Sequence, residues 1–149
     1  MAQAAIDAAR QNLTLNGFDP EQHSFLVGDC FQWLEQLALE KRRFDVVILD
    51  PPSFARERAS RHAAQRAYAR LNRLALQCVQ SGGLLASASC TSQVSPSAFR
   101  QALAEAAAKA NKRLQIVHDA GQAVDHPVPA HFPEARYPKF VIGRVLPAL

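Results

Sequence analysis

The chain has 149 residues, 48% of them hydrophobic and 20% charged, which is the balance of one globular domain and excludes a disordered chain. Its formal charge of +4, from 17 Lys and Arg against 13 Asp and Glu, permits a polyanionic partner without requiring one. No apolar run approaches the roughly 20 residues that span a bilayer, and three scattered cysteines exclude a disulfide framework or a paired-cysteine metal clamp, so the composition reads as a soluble protein of the reducing cytoplasm with no membrane partner.

The first segment, 1–16, has Ile6, Ala9 and Leu13 at helical spacing, and Asn16-Gly17 supplies a stop. After Asp19-Pro20, the run Ser24-Phe25-Leu26-Val27 predicts a buried strand ending at Gly28-Asp29, and 30–41 returns to helical spacing through Phe31, Leu34 and Leu37. Residues 44–49, Phe-Asp-Val-Val-Ile-Leu, read as a strand covered on both faces and stopped by Asp50-Pro51-Pro52, because proline cannot donate to a ladder. A helix follows over 60–80, with Ala64, Ala67, Leu71, Leu74, Ala75 and Cys78 as its apolar stripe and Ser81-Gly82-Gly83 as its end. A strand over 84–89 comes next. Ser95-Pro96 opens a helix carrying Phe99, Leu103, Ala106, Ala107 and Ala110, then a strand spans 114–117. A proline-rich loop over 121–138 leads to a last strand, 140–146, interrupted by Gly143.

Alternating strands and helices predict an α/β fold with a parallel sheet, right-handed crossovers and helices on both faces. In such sheets ligands sit beyond the carboxyl ends of the strands. That rule selects Gly28-Asp29, Asp50-Pro51-Pro52-Ser53-Phe54, Ser89-Cys90-Thr91 and the long loop as neighbours on one rim. Two prolines stiffen the exit from the 44–49 strand and hold the Asp50 carboxylate at the rim, as a site requires, although a solvated strand stop has the same pattern. Asp29 can accept from an exocyclic amine such as that of adenine, or simply cap the next helix. Cys90 is a catalytic candidate by position, against the ordinary role of cysteine as a small core residue, which Cys78 fills. Arg56, Arg58, Arg61, Arg66, Arg70 and Arg73 crowd one segment beside the rim with Glu57 as its only acid, which suits a nucleic acid or a solvated helix face. Phe54 and Tyr68 can stack on a base or fill the core. Asp125 and His126 lie in the loop expected to roof the pocket. His126 and His131 have poor metal spacing, and no metal is expected.

Assembled, these motifs resemble the bacterial large-subunit (23S) ribosomal RNA cytosine-5 methyltransferases that carry an RNA-binding PUA domain at their N-terminus. The resemblance runs from the first helix to the last strand. It rests on Ala9-Arg10-Gln11-Asn12, Gly28-Asp29 before Phe31, Phe44-Asp45-Val46 leading to Asp50-Pro51-Pro52-Ser53-Phe54, Tyr68 with Asn72, Ser89-Cys90-Thr91, and Gln122 to Val128 followed by Phe132-Pro133-Glu134. It implies a Rossmann-like class I fold, S-adenosyl-L-methionine as cofactor and ribosomal RNA as partner. Asp29, Cys30, Phe31, Asp50 and Pro51 are then the expected cofactor contacts. Pro52, Phe54, Tyr68, Arg56, Arg58, Arg61, Asp125 and His126 are the expected substrate contacts, and Cys90 and Asp50 the catalytic pair. In the implied reaction the Cys90 thiolate adds to carbon 6 of a cytosine, which makes carbon 5 able to take a methyl group. Asp50 contacts the base.

Two departures stand out: Arg70 occupies a position where an aspartate is common in the family, and Thr91 replaces a common serine. The six glycines also include no G-x-G cluster, although the family has a glycine-rich loop just upstream of its equivalent of the first helix. The expectation is therefore that 1–149 is the C-terminal portion of the catalytic domain, without its first two strands, inactive by itself and able to form a homodimer through exposed strand edges. A base N-methyltransferase, which needs no cysteine nucleophile, and a noncatalytic RNA-binding or dimerisation fragment are the alternatives. A nicotinamide dehydrogenase gives Asp50-Pro51-Pro52 no role.

Overall fold

The computed structural model describes residues 2–55 and 58–148. Helix α1 is Ala2–Leu15, α2 Cys30–Leu39, strand β1 Phe44–Leu49, α3 Arg61–Cys78, β2 Val79–Ser89, α4 Pro96–Lys109, β3 Lys112–Ala120 and β4 Lys139–Pro147, with short 3-10 turns at Pro20–Gln22, Arg58–Ser60 and Pro133–Ala135. The four strands form one sheet in the order β1-β2-β4-β3. β1 and β2 are parallel, and β4 lies antiparallel between β2 and β3. The fold is α/β as expected, with a mixed rather than an all-parallel sheet.

Three further expectations are corrected. Residues 24–27 form no strand and pair with none of the four described strands, Phe25 lying under the Arg10 guanidinium at 4.5 Å and the Val27 carbonyl accepting from Trp33 Nε1 at 3.2 Å. Helices do not cover both faces of the sheet among the described residues. The chain moves in one direction across the sheet, from β1 through β2 to β3, and crossovers of one hand then put α3 and α4 on the same face. The two helices pack on each other there, and Val46 and Ile48 on β1 stay largely exposed. Finally, α3 ends at Cys78 and β2 starts at Val79 with no loop between them. The Ser81-Gly82-Gly83 turn is a bulge inside the pairing, where the register passes from Phe44 opposite Val79 to Val46 opposite Leu84.

The core lies between the helices and the covered face. Ala64, Leu71, Leu74, Ala75 and Cys78 of the predicted α3 stripe are buried, joined by Tyr68 and Asn72, and α4 contributes Phe99, Leu103, Ala106 and Ala107. On β4 the buried positions alternate: Lys139, Val141, Gly143 and Val145. Ser95 caps α4 by accepting from the Ala98 amide at 3.2 Å, and Pro96 occupies its first turn.

Gly83 is required by close approach. A Cβ there would meet the Asp45 carbonyl oxygen at 2.7 Å and Val79 Cγ1 at 2.9 Å, neither of them the end of a flexible side chain. Gly83→Ala is expected to destabilise the fold by about 1–3 kcal/mol, the range of overpacked sites, measured as a lower urea midpoint with an unchanged m-value.

Candidate active site

Two clefts open along the rim. The first, of about 510 Å³, has Gly28, Asp29, Cys30 and Phe31 on one side and Ile48, Leu49, Asp50, Pro51, Pro52 and Phe54 on the other, with Leu71 of α3 completing it. It brings together all five residues expected to contact the cofactor. Asp29 is the N-cap of α2, its Oδ1 accepting from the Phe31 amide at 2.7 Å, and among the described residues its second oxygen takes no hydrogen bond. The cap and the cleft wall are thus one residue. Gly28 has φ +152°, and a side chain there would strike the Trp33 indole at 2.7 Å. Apolar walls from Phe31, Ile48, Leu49 and Pro51 suit a flat ring, and the exposed carboxylates of Asp29 and Asp50 offer acceptors to amines or hydroxyls. The donor set fits an adenosyl group.

The second cleft, of about 820 Å³, is lined by Cys90, Ser92, Gln93, Val94, Ser95 and Pro96 after β2, and by Phe132, Glu134, Ala135, Arg136, Tyr137 and Lys139 from the long loop and the start of β4. Cys90 is exposed in it, whereas Cys78 is buried in the core with its Sγ 3.6 Å from the Leu34 carbonyl. Burial pushes the Cys78 thiol up, away from thiolate. Parallel pairing sets Leu49 opposite Ser87, so Asp50 and Cys90 leave neighbouring strands at the same rim. The loop after β1 is fastened to the end of β2: Thr91 Oγ1 donates to the Ala55 carbonyl at 3.0 Å, and Ser53 Oγ donates to the same carbonyl at 2.8 Å. A serine at 91 also supplies the hydroxyl, which explains why the exchange is mild.

An aromatic row runs through the molecule between the clefts. Phe31 meets Phe54 at 6.2 Å, Phe54 meets Tyr68 at 4.8 Å, and Tyr68 meets Phe99 at 5.4 Å between ring centroids. Tyr68 is 0% exposed. Its hydroxyl accepts from Ser89 Oγ at 3.0 Å and is held by the Phe54 backbone, and burial pushes its phenol up. The expectation that Tyr68 stacks on a base is corrected: no face of its ring reaches solvent. Phe54 is half-buried in the same row while lining the first cleft.

The arginine cluster divides. Arg61 and Arg66 are exposed on α3, but Arg70 pairs with Glu35 at 2.9 Å and lies over the Phe31 ring at 4.9 Å, bracing α3 against α2. Arg56 and the side chain of Arg58 fall outside the described residues. Asp125 and His126 are exposed and line neither cleft, so their expected role as pocket roof is corrected: the loop roofs the Cys90 cleft with 132–137 instead. The sequence reading missed Lys139. Its side chain is 6% exposed, with Nζ donating to the Thr91 carbonyl and, at 2.8 Å, to that of Val94. The parity of Val141, Gly143 and Val145 was the available signal, since it extends one step back to a lysine on the buried side.

Known proteins identify the family. Residues 1–134 match the family model for S-adenosylmethionine-dependent methyltransferases. Over 145 residues the chain is 38% identical to the ribosomal RNA large subunit methyltransferase I of Erwinia tasmaniensis and 39% identical to that of Serratia proteamaculans. Each alignment covers 97% of this chain and 37% of the relative, so the chain spans little over a third of their length. Among solved structures it resembles the SAH complex of SMU.776, a protein assigned to the methyltransferases, with TM-score 0.73 and 22% identity over 89% of this chain and 34% of that one. It also resembles a methyltransferase homolog protein from Pyrococcus horikoshii, with TM-score 0.63 and 16% identity over 97% and 50%. At those identities the structural likeness bears on fold alone. With nine-tenths of its length under one family model and the matching fold, the chain belongs to the S-adenosylmethionine-dependent methyltransferases.

Proposed function

We propose that this protein methylates carbon 5 of a cytosine in large-subunit ribosomal RNA, with Cys90 as the nucleophile. The observation that carries this reading is the exposure of Cys90 in the larger rim cleft, at the end of the strand next to β1, which stops just before Asp50. A cysteine kept for packing would sit inside, as Cys78 does. The names of the relatives, ribosomal RNA large subunit methyltransferases, support the class of substrate. The exposed Arg61 and Arg66 support a polyanion approaching over α3.

S-adenosylmethionine supplies, when bound, a methyl group on a positively charged sulfur. Gly28, Asp29, Cys30, Phe31, Asp50 and Pro51, which line the first cleft, would hold its adenosyl part. Asp50 and Pro52 at the cleft edge face the incoming base. The Cys90 thiolate forms a bond to carbon 6, and the displaced electron pair makes carbon 5 nucleophilic toward methyl. Loss of the carbon-5 proton then restores the ring and expels Cys90 as thiolate. Asp125 and His126 stand outside the cleft, which leaves water or the Glu134 carboxylate of its lining to take that proton.

In an assay in which the unmodified protein transfers methyl, Cys90→Ala is expected to abolish transfer and leave the melting temperature within a degree or two, since an exposed truncation leaves little cavity. Cys78→Ala is the contrast, costing about 1 kcal/mol of stability and little activity. RNA with a 5-fluorocytosine target, whose carbon 5 carries no removable proton, should stay joined to Cys90 as a denaturant-resistant adduct. Full activity in Cys90→Ala would remove the cysteine mechanism and favour methylation at nitrogen. For RNA binding, Arg61→Ala with Arg66→Ala should reduce the slope of log affinity against log salt by about 2. An unchanged slope would clear α3 from the RNA path.

A further inference from the structure

A lysine in an interior position is usually matched by a carboxylate, because an ammonium out of water must be paired or lose its proton. Lys139 has no such match. Among the described residues no carboxylate lies within ion-pair distance of its Nζ. Its two protein partners are the neutral carbonyls of Thr91 and Val94. An ammonium has three N–H donors, so one is left over. Antiparallel pairing sets Lys139 opposite Ser89, the residue before Cys90, and both Lys139 and Cys90 line the same cleft.

The geometry points to Lys139 as the resident cation for the Cys90 sulfur, a positioning residue that holds positive charge against the thiolate until it attacks. This rests on the reading of Cys90 as nucleophile. The lysine is fixed by the backbone it serves: the carbonyls it binds belong to the turn immediately after Cys90, so the relation of charge to sulfur does not depend on the path of the long loop. The ammonium retains all three hydrogens through the reaction. The sulfur alone changes, carrying negative charge before its bond to carbon 6 and again after it is expelled.

The surroundings favour this assignment. Tyr68 faces the sulfur from α3, but its phenol is pushed up by burial and stays neutral. Glu134, Arg136 and Tyr137 reach the cleft from the loop, with Glu134 and Arg136 exposed, and on the far side of β4 Asp119 of β3 is taken by Arg100 of α4 at 2.7 Å. Burial lowers Lys139 to about 8, and the nearby Cys90 sulfur opposes that fall. Because the folded value lies below the ordinary one of 10.5, the fold carries the full cost of the charge below about pH 8 and is relieved as pH rises beyond it. A charge kept at that cost, beside the one exposed cysteine of the cleft, has a use in the cleft.

The test is alkylation by iodoacetamide, followed at each cysteine by mass spectrometry. At pH 7, Cys90 in the folded chain should react about tenfold faster than Cys90 in the urea-unfolded chain, because only thiolate is attacked. Lys139→Gln should lose about tenfold of that rate at pH 7 and recover it near pH 10, with Cys30 unaffected, whereas Lys139→Arg should keep most of it. Equal Cys90 rates in Lys139→Gln and the unmodified protein at pH 7 would overturn the assignment. So would a folded rate no higher than the unfolded one, a comparison that needs no variant and decides the matter should Lys139→Gln fail to fold. The readout uses neither cofactor nor RNA. An altered rate in Lys139→Gln together with full methyl transfer by Cys90→Ala would keep the cation and sulfur pair and sink only the nucleophile; an unaltered rate with transfer lost in Cys90→Ala would do the opposite.

Discussion

The hydroxyl of Tyr68 sits where the loop after β1, the end of β2 and the core side of α3 converge, accepting from Ser89 Oγ at 3.0 Å and held by the Phe54 backbone while its ring packs on Phe54 and Phe99. A buried phenol without those partners would cost the fold an unsatisfied polar group; with them it fixes two rim segments to one helix. Phe54 transmits this order toward the first cleft through Phe31, and Ser89 transmits it to Cys90, the next residue along. Positions of the first cleft's wall and of Cys90 are thus set by one side chain that lines neither cleft. Asn72, one turn on, donates to the Tyr68 carbonyl at 2.9 Å and steadies the helix at that point.

The second constraint is the direction of β4. Inserted antiparallel between β2 and β3, it begins at the rim where both of those strands end. The chain leaving β3 therefore has to return to the rim it started from, and residues 132–137 come over Cys90 as a result. The same reversal brings Lys139, first residue of β4, opposite Ser89. Gly143 belongs to this arrangement: a Cβ there would meet the Leu114 side chain at 2.5 Å, so the interruption seen in the strand pattern is where β3 closes down on β4.

Much of this was legible in the residues. Stripes at helical spacing gave α3 and α4, the unbroken β-branched run gave β1, and the rim rule brought Asp29 and Asp50 into one cleft. What failed did so for identifiable reasons. Residues 24–27 have strand chemistry but no neighbour to pair with, and a local pattern cannot report the presence of a partner. Coverage of both sheet faces requires a reversal in strand order, which alternation of elements does not encode. Tyr68 was ambiguous because an aromatic next to a motif serves core and ligand equally well in sequence, and only its 0% exposure decides. Asp125 and His126 were expected at the pocket from their place in the long loop and from the resemblance, and the path of that loop depends on where β4 starts. Lys139 lies one residue before the predicted 140–146 strand, although its parity puts it on the buried side.

Trp33 is the chain's single tryptophan. Its indole nitrogen donates to the Val27 carbonyl at 3.2 Å and its ring lies against Gly28, the first residue to line the first cleft. Indole emission depends on the polarity and hydrogen bonding around the ring, so the molecule carries one indole fluorophore, stationed at the edge of the first cleft, whereas the Cys90 cleft has only Phe132 and Tyr137 as its aromatic lining. Excited at a wavelength that tyrosine does not absorb, the indole can thus read events at one cleft without a label, a property that follows from a glycine too small to push the ring away.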